Sequence, residues 1–396
     1  MSVRVAQRAR RALVAGALVA GVIGACAAMP DSVSGPAAAS SPPSASSPPG
    51  SSAVPLFAYY YIWFTPASWN RAKIDYPLIG RYASDDPAVM REQIQEAKSA
   101  GIDGFIVSWK NTPADDRTLQ LLMSVASQEH FQLAMIYEGL DFTRHPLPVS
   151  EVAAGFRLFR DDYAPSPVWF RVNGKPLTIW SGTWDYSHAA VASVTSAVRG
   201  RMLVLSTEKS VAGFQRLADV TDGDAYYWSS VNPQTNSGYA AKLDAMSNAI
   251  HQQNKYWIAP FAPGFDARLV GGLSVVPRDD GQTLRAEYAT AAASSPDILG
   301  LISWNEFSEN TYVEPSVHYG RFYLQLVDEL RGTAAPTPAS ATGPSDSRSV
   351  AVRTSASTGL WLLGFALTLV SVVALASYAR RRRAVRTASA SHGNGR

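Results

Sequence analysis

Two carboxylates three residues apart, Glu306 and Glu309, follow directly on a short apolar run, 298–303, that reads as a buried strand. Trp304 and Asn305 stand immediately before them, and Glu314 follows a few residues on. Glycosyl transfer needs one carboxylic acid to protonate the leaving oxygen and a second carboxylate across the sugar. On a regular strand, residues three apart point to opposite sides, whereas on a turn they can face one pocket. Segment 305–310 is therefore expected to leave the strand as a loop or turn. A capping Glu and a solvated Glu would explain an isolated E-x-x-E; the flanking Trp-Asn and the place after a strand argue for chemistry.

The elements that must position this pair follow from an alternation of short apolar runs with longer amphipathic stretches. Strands are expected at 56–63, 104–109, 132–137, 177–180, 202–206, 225–228, 256–260 and 300–304. Helices are expected at 86–100, 115–130, 149–163, 188–199, 211–218, 238–253, 281–293 and 318–330, with Asp86, Asp115 and Gly101 at cap positions. Eight strands, each followed by a helix, within about 280 residues is the count of a (β/α)8 TIM barrel. A doubly wound open sheet is the alternative, and the regular eightfold repeat disfavours it.

A TIM barrel builds its active site at the C-terminal ends of its strands. Those ends read Trp63, Trp109, Glu138, Trp180, Glu208, Trp228, Phe261 and Glu306. Indole faces suit the C–H faces of sugar rings and carboxylates accept from hydroxyls, so their convergence suits a glycan; packing of the rim is the plainer account of any single Trp. No Gly-rich phosphate loop follows a strand, and no Ser sits in a nucleophile elbow. His130, His145, His188, His251, His318 and His392 show no ligand spacing, so no metal and no cofactor are expected. Asp85-Asp86, Asp161-Asp162 and Asp279-Asp280 read as helix-start and loop charges. Arg268, Arg278 and Arg285 are solvated loop cations or contacts to anionic substrate groups.

Both ends of the 396-residue chain read as targeting and anchoring segments. Residues 1–28 carry Arg4, Arg8, Arg10 and Arg11 ahead of a small apolar stretch, as an export signal does. Cys26, the sole cysteine, sits in Ile23-Gly24-Ala25-Cys26 like a lipidated residue; cleavage by an ordinary signal peptidase and an uncleaved signal anchor are the alternatives. Segments 29–53 and 333–357, rich in Ser, Pro, Ala and Gly or Thr, read as disordered linkers around a folded domain at 54–332. Residues 358–379 carry no charge and are long enough to cross roughly 30 Å of hydrocarbon as a transmembrane helix. The basic tail 380–396 then lies in the cytoplasm and the domain outside, at the cell membrane. The net charge of +3 reports this topology, and no nucleic acid is expected as partner. Without disulfides the exported domain must rest on its own core, and a monomer is expected.

Trp304-Asn305-Glu306-Phe307-Ser308-Glu309-Asn310-Thr311-Tyr312-Val313-Glu314-Pro315 resembles the Phe-Asn-Glu-Trp-His-Glu-Gly-Thr-Gln-Ile-Glu-Pro signature of glycoside hydrolase family 99, endo-α-mannosidases and endo-α-mannanases on a TIM barrel. Weaker matches agree in order: Ala58-Tyr59-Tyr60-Tyr61-Ile62-Trp63, then 101–109, then Ile136-Tyr137-Glu138, then Ala262-Pro263-Gly264-Phe265-Asp266. The resemblance implies that Glu306 draws the proton from the sugar 2-hydroxyl, whose oxygen attacks the anomeric carbon with net retention. It implies Glu309 as general acid and then base for water, with Glu138, Trp109 and a Tyr of Tyr226-Tyr227 binding hydroxyls. Tyr60, Trp63, Trp304, Asn305, Asp266 and Glu314 complete the expected substrate-binding set. The departures, Phe307, Ser308 and Asn310, bear on the substrate rather than on the acid/base pair. The ending is also similar to that of the α-1,3-glucanases of family 71, whose stereochemical outcome differs, and more distantly to polysaccharide-biosynthesis proteins. The expected activity is an endo-acting α-glycosidase on a mannan-like glycan. A non-catalytic glycan-binding barrel and an enzyme of the cell's own wall glycans are the alternatives.

Overall fold

The computed structural model describes residues 54–332 apart from 72 and 230. The expected signal, linkers, transmembrane helix and tail lie outside the described residues. Among the described residues no helix is long and apolar enough to cross a membrane.

Eight parallel strands close on themselves: β1 (Leu56–Tyr61), β2 (Gly104–Trp109), β3 (Gln132–Glu138), β4 (Lys175–Ser181), β5 (Leu203–Ser206), β6 (Gly223–Ala225), β7 (Tyr256–Phe261) and β8 (Ile298–Leu301). β1 pairs in parallel with both β2 and β8, and β3 with β4, so the sheet has no open edge and the barrel expectation holds over the doubly wound alternative. Outside lie α1 (Pro87–Ser99), α2 (Pro113–Gln128), α3 (Val149–Leu158), α4 (His188–Thr195), α5 (Val211–Leu217), α6 (Tyr239–His251), α7 (Gln282–Ala293) and α8 (Phe322–Gly332). Two features lacked any sequence signal: a short antiparallel strand Arg171–Val172 on β4, and a hairpin of Phe265–Asp266 with Val275–Val276 after β7.

Alternation along each strand separates two apolar layers. Phe57, Tyr59, Ile106, Ile136, Ile179 and Ile258 fill the barrel interior, while Leu56, Ala58, Tyr60, Phe105, Trp109 and Tyr137 pack beneath the helices. Gly104 admits the Phe57 ring beside β2, because a Cβ there would stand 2.2 Å from it. The helix starts are set by local hydrogen bonds. Asp86 caps α1 through Ala88 N at 2.9 Å, as expected. The α2 cap is Thr112, which accepts from Asp115 N at 3.2 Å, with Pro113 at the first helical position. Asp115 therefore sits inside the first turn, where its charge favours the helix dipole. The sixth strand ends at Ala225, so Tyr226, Tyr227 and Trp228 belong to the loop after it.

Candidate active site

After β8 the chain turns back on itself, and hydrogen bonds within the turn hold its two carboxylates. Ser303 Oγ accepts from Glu306 N at 2.9 Å, Val313 N donates to Ser303 O at 3.0 Å, and Glu314 N donates to Trp304 O at 2.9 Å. Asn305 ties the turn to β1: its Oδ1 accepts from Tyr61 N at 2.8 Å and its Nδ2 donates to Tyr61 O at 3.0 Å. Arg278 braces it from beneath, donating to Asn310 O at 3.0 Å and Tyr312 O at 2.7 Å while lying against the rings of Tyr312, Tyr319 and Tyr323. Residues 307–310 form the turn expected from the sequence. Asn310 adopts φ 55°, a left-handed conformation open to Gly and tolerated by Asn. That explains how Asn can stand where the resembling signature carries Gly.

Around this turn Tyr61 feels the charges of Glu306, Glu309 and Glu138, Tyr227 those of Glu138 and Glu309, Glu306 that of Glu309, and Glu309 that of Glu138. Glu306 is buried; its Oε1 accepts from Ser308 N at 2.7 Å. Burial pushes its carboxyl up to about 7, the Glu309 charge adds to this, and the Ser308 hydrogen bonds and the Lys73 ammonium oppose it. Lys73 is held near by donating to Ser308 Oγ at 3.0 Å. Glu309 is half-buried and is also raised by burial. Arg144 opposes that shift through an ion pair at 3.2 Å, and the Glu138 charge adds to it. Glu138 closes β3 facing the interior; Ser108 Oγ donates to its Oε1 at 2.9 Å. Burial raises it, with the Ser108 and Ser181 hydroxyls opposing. The Tyr61 and Tyr227 hydroxyls are hydrogen-bonded to each other. Two neighbouring carboxylates whose proton affinities are both raised are suited to acid/base work.

Of the residues expected at the site, Glu306, Glu309, Glu138 and Tyr227 are brought together, and Trp63 stands 37 % exposed against the Tyr61 ring. The others are placed elsewhere. Tyr60 faces the helices and donates to Gln93 Oε1 at 2.6 Å. Trp109 lies fully buried among Tyr137, Phe159 and Tyr163, its Nε1 donating to Asp116 at 3.0 Å. Tyr226 points outward to accept from Lys242 at 2.8 Å, and Trp304 packs against Phe105 in the outer layer. Asn305 and Glu314 are buried braces; Glu314 accepts from Gln93 at 2.6 Å and from Tyr82 at 3.0 Å. Asp266 spends its carboxylate on Arg268 at 2.6 Å, while its N–H donates to Glu309 O at 2.7 Å. Arg285 pairs with Glu329 at 2.8 Å. Phe307, between the two carboxylates in sequence, stacks on Tyr312 in an apolar cluster with Trp69.

Tyr61, Ser108, Lys73 and Arg144 escaped the sequence reading. The first two were accessible to it: residues two apart share a strand face, so Tyr61 goes with Tyr59 and Ser108 with Ile106. The two cations lie on loops with no periodic signal. Among the described residues no group of three or more His, Cys, Asp or Glu could hold a metal.

The sequence profile of glycosyl hydrolase family 71 matches residues 76–323. A glycoprotein endo-alpha-1,2-mannosidase-like protein of Mus musculus is 24% identical over 272 residues, covering 61% of this chain and 58% of that protein. The Homo sapiens protein of the same name is 23% identical, covering 61% of this chain and 57% of its own. The chain thus spans little more than half the length of these relatives. Among solved structures, the GH99 endo-alpha-mannosidase from Bacteroides thetaiotaomicron superposes with a TM-score of 0.62 at 20% identity, covering 69% of this chain and 95% of that one. Both families that the Glu306 turn resembles therefore reappear, one by sequence profile and the other by fold. The chain belongs to glycosyl hydrolase family 71.

Proposed function

We propose that the protein is an endo-acting α-mannosidase-like hydrolase that cleaves with retention through the sugar 2-hydroxyl. The observation that carries this reading is the turn after β8, which sets the buried Glu306 and the half-buried Glu309 beside Glu138 with both proton affinities raised. Glu306 is the base that draws the 2-hydroxyl proton, the sugar oxygen displaces the leaving group, and Glu309 protonates the departing oxygen. Water, deprotonated by Glu309, then opens the intermediate, and Glu306 returns its proton to the 2-oxygen. Glu138 and the Tyr61–Tyr227 pair hold ring hydroxyls beside the reacting centre.

The test is to incubate the purified chain with α-1,2-mannan and with α-1,3-glucan, following product size and the first-formed anomer by NMR. Internal cleavage of mannan giving the α-anomer supports the reading; the β-anomer overturns retention. A second reading, an α-1,3-glucanase, is favoured by the family 71 match over 76–323 and predicts cleavage of the glucan instead. Binding without cleavage of either polymer would leave a glycan-binding barrel.

The sequence also supports a place at the cell surface, with 358–379 as membrane helix and Arg380 to Arg383 on its cytoplasmic side. Release from membranes by alkaline carbonate would overturn the anchor.

A further inference from the structure

The base of the barrel, where the strands begin and opposite the Glu306 turn, carries a basic groove that the proposed chemistry leaves unused. The groove has a volume of about 470 Å³ and is lined by Arg160, Arg171, Lys175 and Arg201, with Asn173 and Gly200 between them. No carboxylate among the described residues lines it. Asp161 is the carboxylate bonded to its cations, accepting from Arg160 at 2.7 Å and from Arg201 at 3.2 Å. Arg171 and Lys175 are held by main-chain oxygens instead. Arg171 donates to Gly174 O at 3.0 Å and Ser166 O at 3.2 Å, and Lys175 to Arg199 O at 2.9 Å. Four cations on one groove against a single bonded carboxylate leave a surplus of positive charge that an anion would offset.

Beside the groove, and sharing Arg171 and Asn173 with it, lies an apolar hollow of about 330 Å³ lined by Phe170, Val172, Leu177, Tyr256 and Ile298. Phe170 roofs the barrel interior there, its ring 4.9 Å from that of Phe57. Asn173 donates to the Tyr256 hydroxyl at 2.6 Å, which lays the turn after Val172 across the strand starts. The carboxylate on the hollow, Asp297, is held by His251 at 3.1 Å and by Trp257 N at 2.7 Å. Both ends of the described chain meet at this same base. Arg331 donates to Val54 O at 2.8 Å and to Gly101 O at 3.0 Å, and Leu299 N donates to Pro55 O at 2.8 Å. In sequence, residues 333–357 alone separate the end of α8 from the apolar run 358–379.

We propose that the base of the barrel binds an anionic phospholipid, with its phosphate in the groove and an acyl chain in the hollow. Guanidinium groups present paired N–H donors that match phosphate oxygens, and Lys175 adds a point charge. A free phosphate would use the groove alone; the apolar hollow joined to it through Arg171 favours a lipid. The exit of the chain from this face toward an uncharged apolar run favours a lipid as well. The glycan cleft, at the other end of the strands, stays open while the base is occupied. This goes beyond the glycosidase reading and does not depend on it.

The full chain in a neutral detergent is titrated by calorimetry with short-chain phosphatidylglycerol, short-chain phosphatidylcholine and glycerol phosphate. Uptake of lipid into the micelle is common to all variants, so the differences between variants report the site. Each Lys or Arg beside an anionic lipid is worth roughly fivefold in binding. Phosphatidylglycerol is therefore expected to bind about tenfold or more tightly than either of the other two, and Arg171→Gln with Lys175→Gln to lose most of that margin. Arg201→Gln removes an exposed cation bonded to Asp161 alone, and is expected to lose part of the margin with the melting temperature kept. It carries the test should the double variant fail to fold. Val172→Asn is expected to weaken the lipid and leave glycerol phosphate unchanged. Equal affinity for the two lipids overturns the proposal, as does a margin that survives the Arg and Lys substitutions. Glycerol phosphate binding as tightly as phosphatidylglycerol also overturns it, since the groove would then be a site for soluble phosphates. Loss of glycan cleavage with the lipid margin intact removes the enzyme reading and keeps the lipid site.

Discussion

Glu314→Gln separates a buried brace from a substrate ligand. Glu314 is 2% exposed, accepts from Gln93 and Tyr82, and through Tyr82 supports Asn305, which donates to the Tyr82 hydroxyl at 3.2 Å. Burial pushes its carboxyl from 4.5 up to about 8, with the Gln93 and Tyr82 hydrogen bonds opposing. The folded chain thus keeps a proton that the unfolded chain releases above about 4.5. The stabilisation linked to that proton is fully present below 4.5 and is lost as pH rises toward 8. The loss runs at about 1.4 kcal/mol per pH unit, several kcal/mol over the window. Gln can accept from Gln93 as the protonated acid does, but it does not titrate. Urea unfolding of wild type and Glu314→Gln at pH 5, 6, 7 and 8 reads the difference directly, since the other buried acids are common to both. The variant is expected to gain on the wild type steadily from pH 5 to 8, with kcat and KM for glycan little changed at neutral pH. Parallel stability curves, or a large rise in KM at unchanged stability, would refute the reasoning.

Other substitutions divide structure from chemistry in the same way. Asn305→Ala strands the buried N–H and C=O of Tyr61 and is expected to cost about 2–4 kcal/mol in unfolding free energy. Trp109→Phe and Trp304→Phe thin the outer layer and should cost about 1–3 kcal/mol while KM stays within about twofold of wild type. Glu306 must be ionised to act as base, so kcat/KM should rise with pH through about 7. Lys73→Met removes a cation that holds Glu306 down and should move that acid limb to higher pH, read from the pH–rate profile.

The barrel was legible because its signal is repeated eight times, each short apolar run followed by a capped amphipathic stretch. The placement of Glu306 and Glu309 on one turn after the last strand was legible because charge directly after a buried strand is costly without a use. Which aromatic residues face the cleft depends on strand parity. The choice of Tyr60 and Trp109 over Tyr61 and Ser108 was a one-residue slip, which reverses the face. Asn305 and Glu314 show a different limit: a polar residue beside the proposed acid/base pair reads the same whether it touches a substrate or holds the turn. Only the partners, Tyr61, Tyr82 and Gln93, distinguish the two, and they come from 221 to 244 residues away in sequence. Arg144 and Lys73 lie on irregular loops, where a solvated cation is the ordinary expectation and only tertiary placement says otherwise.

The central claim is that Glu306 and Glu309 carry the reaction as base and acid. The most direct test is the single-turnover rate of Glu306→Gln and Glu309→Gln on α-mannan, with glycan affinity measured alongside. Both rates are expected to fall by about 10²–10⁴ with affinity largely kept. Glu309→Gln should regain most of its first step on an aryl α-mannobioside whose leaving group needs no proton. A near-wild-type rate in either variant on mannan, or no rescue of Glu309→Gln by the better leaving group, would contradict the assignment.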